Sequence, residues 1–152
     1  MALAREPAIQ VDRDILPIFA VTREDRPQPT SFRGTGFLLA GPVLVTCWHC
    51  VHEPLSEEQK YGVIRETDGG YEVSELADLA RDTNGTDLAL ARVSFGPSAD
   101  FQLSETDAAL GTDVWSFGYP LTDVHRKEDG RLTFQLNPRF LQGYVTRSFR
   151  HQ

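Results

Sequence analysis

The densest concentration of reactive side chains in this 152-residue chain is Thr46-Cys47-Trp48-His49-Cys50-Val51-His52. An imidazole with its ordinary pKa of about 6.5 takes up and returns a proton near neutrality, which suits His49 to general base and acid work. The same stretch has the C-x-x-C spacing of thiol–disulfide motifs, whose first cysteine has a lowered pKa where a strand opens into a helix. With His52 it also crowds several potential metal ligands, although a zinc site needs a second ligand pair and His125 and His151 fall in unrelated loops. Cys50 is followed by Val51 and not by histidine, so covalent haem attachment is not supported. The plain reading of Cys47 and Cys50 is that both are small buried hydrophobes beside the histidine.

The surrounding elements must aim these groups. Phe37-Leu38-Leu39 and Val43-Leu44-Val45 flank an Ala40-Gly41-Pro42 turn, which reads as a hairpin that delivers His49 at its end. Upstream, residues 1–13 form a leader with a short helical turn near Ile9–Asp14. Pro17–Thr22 reads as an edge strand that tolerates proline, Glu24–Thr30 as a polar turn and Ser31–Leu39 as the second strand. One helical turn at Trp48–His52 and a charged loop at Glu53–Tyr61 follow. Gly62–Thr67 and Tyr71–Leu76 make a second hairpin around Asp68-Gly69-Gly70.

A sixth strand, Asp87–Val93, has no polar face before Arg92 and is expected to be buried on both sides. Ser94–Leu103 has linker composition. Beyond it, strands are expected at Asp113–Phe117, Leu132–Gln135 and Phe140–Thr146, with Leu121–Gly130 as a charged, mobile loop. Six short strands without a long helix specify an all-β sandwich or barrel, and pattern alone does not choose between them. The βαβ pattern that a thioredoxin-like motif requires is missing.

Three segments, in order, resemble trypsin-like (chymotrypsin-fold) serine proteases. Gly34-Thr35-Gly36 before an apolar strand, a tight turn, a second strand and Thr46-x-x-His49-Cys50-Val51 is similar to the catalytic-histidine segment. Asp87-Leu88-Ala89-Leu90-Ala91-Arg92-Val93, with Asp87 placed 38 residues after His49, resembles the strand that carries the catalytic aspartate. Gly111–Pro120 is similar to the Gly-x-x-Val-x-x-x-Gly-Tyr-Pro segment that opens the second barrel in bacterial members.

The resemblance implies a six-stranded β-barrel followed by the first strands of an incomplete second barrel. It divides the chain into a leader (1–13), a first barrel (14–97), an inter-barrel linker (98–109) and the start of a second barrel (110–152). It assigns His49 as general base and acid and Asp87 as the buried, orienting carboxylate, with no metal or cofactor. Asp82 competes for the second role, but Asn84-Gly85 places it on a solvated turn.

No Gly-x-Ser-Gly occurs in the chain. Ser104, Ser116 and Ser148 lack the flanking glycines that let backbone N–H groups form an oxyanion hole, and are read as structural. The chain alone is therefore expected not to hydrolyse peptides. Its implied partners are a protein or peptide substrate and a second chain or downstream segment that supplies the serine. A non-catalytic protein-binding module is the alternative, and a thiol–disulfide or metal protein a more distant one.

The net charge of −7 and the scattered basic residues argue against nucleic acid as a partner. No apolar run has membrane-spanning length, and the first residues lack the apolar core of a signal peptide. Secreted trypsins pair the cysteine after the catalytic histidine with one on the preceding strand, where this chain has Arg33-Gly34-Thr35-Gly36. Cys50 thus has no counterpart there, a pattern like that of cysteine-poor bacterial members, and a cytoplasmic location is expected.

Overall fold

The computed structural model describes residues 11–39, 41–95, 105–120, 122–130 and 132–146. One helical turn, α1 (Val11–Asp14), leads into β1 (Ile15–Thr22), β2 (Pro29–Leu38), β3 (Val43–Thr46), a 3-10 turn at Trp48–Cys50, β4 (Gln59–Thr67), β5 (Gly70–Glu75), β6 (Ala77–Arg81) and β7 (Ala89–Arg92). These strands form one antiparallel sheet in the order β5-β4-β1-β2-β3-β7-β6. Its two edge strands, β5 and β6, are separated in sequence by Leu76 alone. The sheet therefore curls until one bent strand serves both edges, as a closing barrel requires. The expected all-β class is what the chain adopts. β6 is an addition to the strands expected, since its sequence Ala-Asp-Leu-Ala-Arg is exposed throughout and carries no β-branched residue. Only its pairing with β7 makes it a strand.

The core gathers around β1, whose inner face places Leu16 and Ile18 with Leu38, Leu44, Val63, Leu76, Ala89 and Ala91. Its outer face carries Phe19 and Val21, which pack with Ile64, Phe32, Val73, Val124, Phe134 and Leu136. Thus β1, and not the Asp87–Val93 segment, is the strand covered on both sides. In β7, Ala89 and Ala91 point inward, while Leu90 and, just before the strand, Leu88 remain 40% and 42% exposed. The expectation of a doubly buried strand there is corrected for a physical reason: the covering hairpin, residues 123–135, lies over β1 and β2, and β7 is two strands further along the sheet.

Pro17 also departs from its expected edge position, because β1 lies between β4 and β2. It is tolerated since the β1–β4 ladder begins only at Ile18, opposite Val63. No ladder bond from the Pro17 nitrogen is needed on that side.

The remaining described residues form two more ladders: β8 (Asp113–Gly118) with β11 (Arg139–Tyr144), and β9 (Asp123–Arg126) with β10 (Leu132–Gln135). The segment expected to be a charged loop thus contains β9. Its polarity is one-sided: Val124 and, across the hairpin, Phe134 bury against the outer face of β1, with the Phe134 ring 5.6 Å from that of Phe19. Of the linker segment expected at Ser94–Leu103, residues 96–103 lie outside the described residues, as do residues 1–10 of the leader. Among the described residues, no helix is long and apolar enough to cross a membrane.

Candidate active site

The register of two strands brings His49 and Asp87 together. β3 and β7 run antiparallel with Thr46 opposite Ala89, so the chain leaving β3 and the chain entering β7 share one end of the barrel. After Thr46, Cys47 stays extended and Trp48–Cys50 turn once, with Cys50 N–H donating to the Cys47 carbonyl at 3.1 Å and Val51 N–H to that of Trp48 at 3.0 Å. Buried Cys50 and Val51 anchor this turn in the core, which leaves His49 facing outward.

The His49 Nδ1 lies 2.5 Å from Asp87 Oδ2. An ionised carboxylate only accepts, so the shared hydrogen belongs to Nδ1 and Nε2 is left as the basic nitrogen of the neutral ring. The other carboxylate oxygen, Oδ1, accepts the His49 backbone N–H at 2.9 Å. Trp48 N–H also reaches the Asp87 carbonyl, at 3.3 Å. Asp87 therefore holds both the ring and the backbone of the histidine. The ring hydrogen bond first, and the backbone one second, pull the Asp87 carboxyl below the usual aspartate value. The side chains are not buried as the triad reading requires: His49 is 65% and Asp87 53% exposed, with the pair at the mouth of the barrel.

The glycines of the Gly34-Thr35-Gly36 segment have steric work to do behind this pair. A Cβ on Gly34 would lie 2.4 Å from Cys50 Sγ, and one on Gly36 would lie 3.0 Å from both the Val45 carbonyl oxygen and Leu44. Thr35 between them accepts on its carbonyl from Thr46 Oγ1 at 2.9 Å, and its own Oγ1 accepts the Tyr119 N–H at 3.3 Å. The Tyr119 hydroxyl in turn donates to the Ile15 carbonyl at 3.1 Å. The histidine segment and the Gly118-Tyr119-Pro120 segment are thereby bonded to each other, a link not evident from either stretch read alone.

Asp82 occupies the solvated turn expected of it, accepting from Thr86 Oγ1 at 2.5 Å and from the N–H groups of Asn84 and Thr86 at 3.2 and 3.3 Å. These bonds, the Thr86 hydroxyl foremost, lower its pKa. Ser116 sits in β8 opposite Leu141, and Ser104 and Ser148 lie outside the described residues. His52 is held by its Nδ1 against the His49 carbonyl at 3.1 Å. His125 is in β9 beside Asp123, not in a loop, and His151 is outside the described residues.

The two cysteines differ, which corrects the expectation that both are buried. Cys50 is buried and desolvation pushes its thiol pKa up, whereas Cys47 is exposed. The extended backbone at Cys47 turns its side chain outward, so that it lies with His49 and Asp87. The ligand atoms of these three residues all fall within 4.8 Å of one another, the one grouping among the described residues that could hold a metal ion.

A curled antiparallel sheet with a histidine just after one strand and an aspartate just before its neighbour, both at the rim, is the chymotrypsin-like architecture, and comparison bears this out. The family model described as "Trypsin-like peptidase domain" matches residues 34–151, and the chain belongs to that family. Among solved structures, the MamO protease domain from Magnetospirillum magneticum in its apo form is 20% identical with a TM-score of 0.57, over 90% of this chain and 61% of that one. Deg5 is 16% identical with a TM-score of 0.62, over 93% and 61%. Mouse neuropsin, described as a serine protease expressed in the limbic system, is 14% identical with a TM-score of 0.56, over 90% and 60%. At these identities the likeness is one of fold. The chain thus spans about three fifths of the length of these structures. No curated protein sequence matches it.

Proposed function

We propose that this chain is the His/Asp-bearing part of a trypsin-like serine endopeptidase, with His49 as general base and acid and Asp87 as its orienting carboxylate. The observation that carries the reading is the double hold of Asp87 on His49, 2.5 Å to the ring and 2.9 Å to the backbone N–H. In that reaction Nε2 takes the proton of a serine hydroxyl as it attacks the peptide carbonyl, then gives it to the leaving amine. Asp87 keeps the ring in the required tautomer and stabilises the imidazolium.

The serine and oxyanion hole come from a Gly-x-Ser-Gly segment supplied downstream or by a second chain. Exposed Leu88 and Leu90 beside Asp87, and Trp115, Phe140, Leu141 and Tyr144 on the β8–β11 ladder, offer the apolar surface such a segment would cover. The substrate is a peptide or protein, and the location we propose is the cytoplasm. Gly34 stands across from Cys50 and keeps that thiol unpaired, which suits a reducing compartment.

The test joins the chain to a serine-bearing second-barrel segment and measures peptide hydrolysis. The chain alone should be inactive and the joined protein active. Asp87→Asn should lower kcat about 10⁴-fold, because it leaves the ring in the wrong tautomer. Equal activity after His49→Ala or Asp87→Asn would refute the assignment.

A protein-binding module without catalysis is favoured by one observation of its own. Within the described residues β11 pairs only with β8, so its other edge is open to strand addition. A joined protein that folds, stays inactive and binds peptides would establish that second reading.

A further inference from the structure

The chemistry of Cys47, His49 and Asp87 goes beyond a base and its orienter. We infer that these three residues form a site for one borderline-soft divalent cation of the zinc class, and that the bound ion disables the His49–Asp87 pair. The binding part rests on the cluster itself; only the consequence for catalysis rests on the protease reading.

The three ligand atoms already lie within 4.8 Å of one another on an exposed rim. Tetrahedral zinc with bonds of about 2.0–2.3 Å holds its ligand atoms roughly 3.3–3.7 Å apart. Cys47 Sγ, at most 4.8 Å from either partner atom, need draw in by no more than roughly 1–1.5 Å, and the Nδ1–Oδ2 pair, now 2.5 Å apart, must open by about 1 Å. Both movements are accessible. Cys47 is exposed and its side chain makes no capping hydrogen bond to the turn that follows. The carboxylate can rotate while Oδ1 keeps its bond to the His49 backbone N–H.

A thiolate, an imidazole nitrogen and one carboxylate oxygen match zinc far better than calcium or magnesium, which take oxygen ligands. Water fills the fourth position. The step is an exchange without redox change: the cation displaces the thiol proton of Cys47 to solvent, while the ring exchanges its Nδ1 proton for one on Nε2 and, still neutral, binds the ion through Nδ1. With a metal where that proton was, Asp87 no longer sets the ring tautomer. Cys50, the other half of the C-x-x-C spacing, is excluded because its sulfur is packed against Gly34 inside the barrel. The ligand set is thus different from any that the sequence motif alone proposes, since Asp87 joins from the segment that leads into β7.

The experiment is titration of the tag-free 152-residue chain with cobalt(II), followed by thiolate-to-cobalt charge-transfer absorption in the near ultraviolet and by zinc competition. One equivalent should bind and zinc should displace it. Cys47→Ser should abolish the absorption, and Asp87→Asn should weaken affinity at least tenfold. His52→Gln and Cys50→Ala should bind as the parent does, with circular dichroism confirming that each variant is folded. Absence of the charge-transfer absorption at millimolar cobalt would overturn the site. So would absorption that survives Cys47→Ser, unchanged affinity in Asp87→Asn, or loss of binding in folded His52→Gln or Cys50→Ala. None of these results depends on peptide hydrolysis, so failure of the metal site and failure of the protease reading are separable.

Discussion

Replacing Gly34 by alanine should destabilise the barrel through one atom. The new methyl would sit 2.4 Å from Cys50 Sγ and 3.1 Å from Cys50 Cβ. Ordinary carbon–sulfur contact needs roughly 3.5–4.0 Å, so the sulfur or the turn that carries it must move by more than about 1 Å. Cys50 is only 8% exposed and is packed among Leu16, Leu38 and Val51, so the displacement meets a filled core. Overpacking of this kind costs about 1–3 kcal/mol. For a domain of this size each kcal/mol lowers Tm by about 2–4 °C.

Cys50→Ala alone should cost about 1 kcal/mol, from the lost burial of the sulfur. In the double variant the methyl of residue 34 occupies the space the sulfur vacates, so stability should recover. The two changes should couple by about 1–2 kcal/mol in a double-mutant cycle. Urea unfolding followed by tryptophan fluorescence measures all four proteins, with thermal melts by circular dichroism as a second probe. Refutation would be a Gly34→Ala protein as stable as the parent, or a Gly34→Ala penalty that is the same whether residue 50 is cysteine or alanine. Either result would mean that the glycine is not there to seat the cysteine.

Other consequences are simpler to state. A thiol-specific chromogenic disulfide should react with one cysteine quickly and with the other only on unfolding, and Cys47→Ser should remove the fast phase, because Cys47 is exposed while burial raises the Cys50 pKa. Tyr119→Phe should cost about 0.5–1.5 kcal/mol by removing the hydroxyl bond to the Ile15 carbonyl, read as a lower urea midpoint with unchanged m-value. The Asp82 carboxyl, held low by Thr86 and Asn84, should titrate by carbon NMR below the ordinary aspartate value, and Thr86→Ala should move it back up. Because its folded pKa is depressed, its contribution to stability is complete above the unfolded value of about 3.9 and is lost as pH falls through the lower folded value. The parent should therefore lose more stability than Thr86→Ala over that acidic window.

Much of this architecture is local chemistry and is legible in the residues themselves. The Val43–Thr46 strand falls where its apolar run puts it, and the hairpin around Asp68-Gly69-Gly70 closes with Thr67 opposite Gly70. Trp48–Cys50 makes its single turn, and Gly41 takes the positive φ of +62° that the Ala40-Gly41-Pro42 turn requires. These features depend on neighbours in the chain, so composition and period suffice. β6 was hidden because its alanines and charges signal no strand, and β9 because its charged residues conceal the single apolar face that Val124 presents. In both cases the deciding partner lies elsewhere in the sequence.

The same division runs through the site. The sequence by itself determined that a strand would deliver His49 within a turn crowded with cysteine and histidine, and that Asp87 would open an apolar segment. That followed from short-range patterning and from the family resemblance. Only the tertiary structure decided that Thr46 pairs with Ala89, which sets His49 Nδ1 against Asp87 and leaves Asp82 on its own turn. It alone separated the two cysteines, burying Cys50 against Gly34 and turning Cys47 out beside the His–Asp pair. It also chose β1 over β7 as the strand covered on both faces. Alternation along a strand records which residues are apolar, but burial depends on what packs on each face, and that is settled by register and closure between segments far apart in the chain.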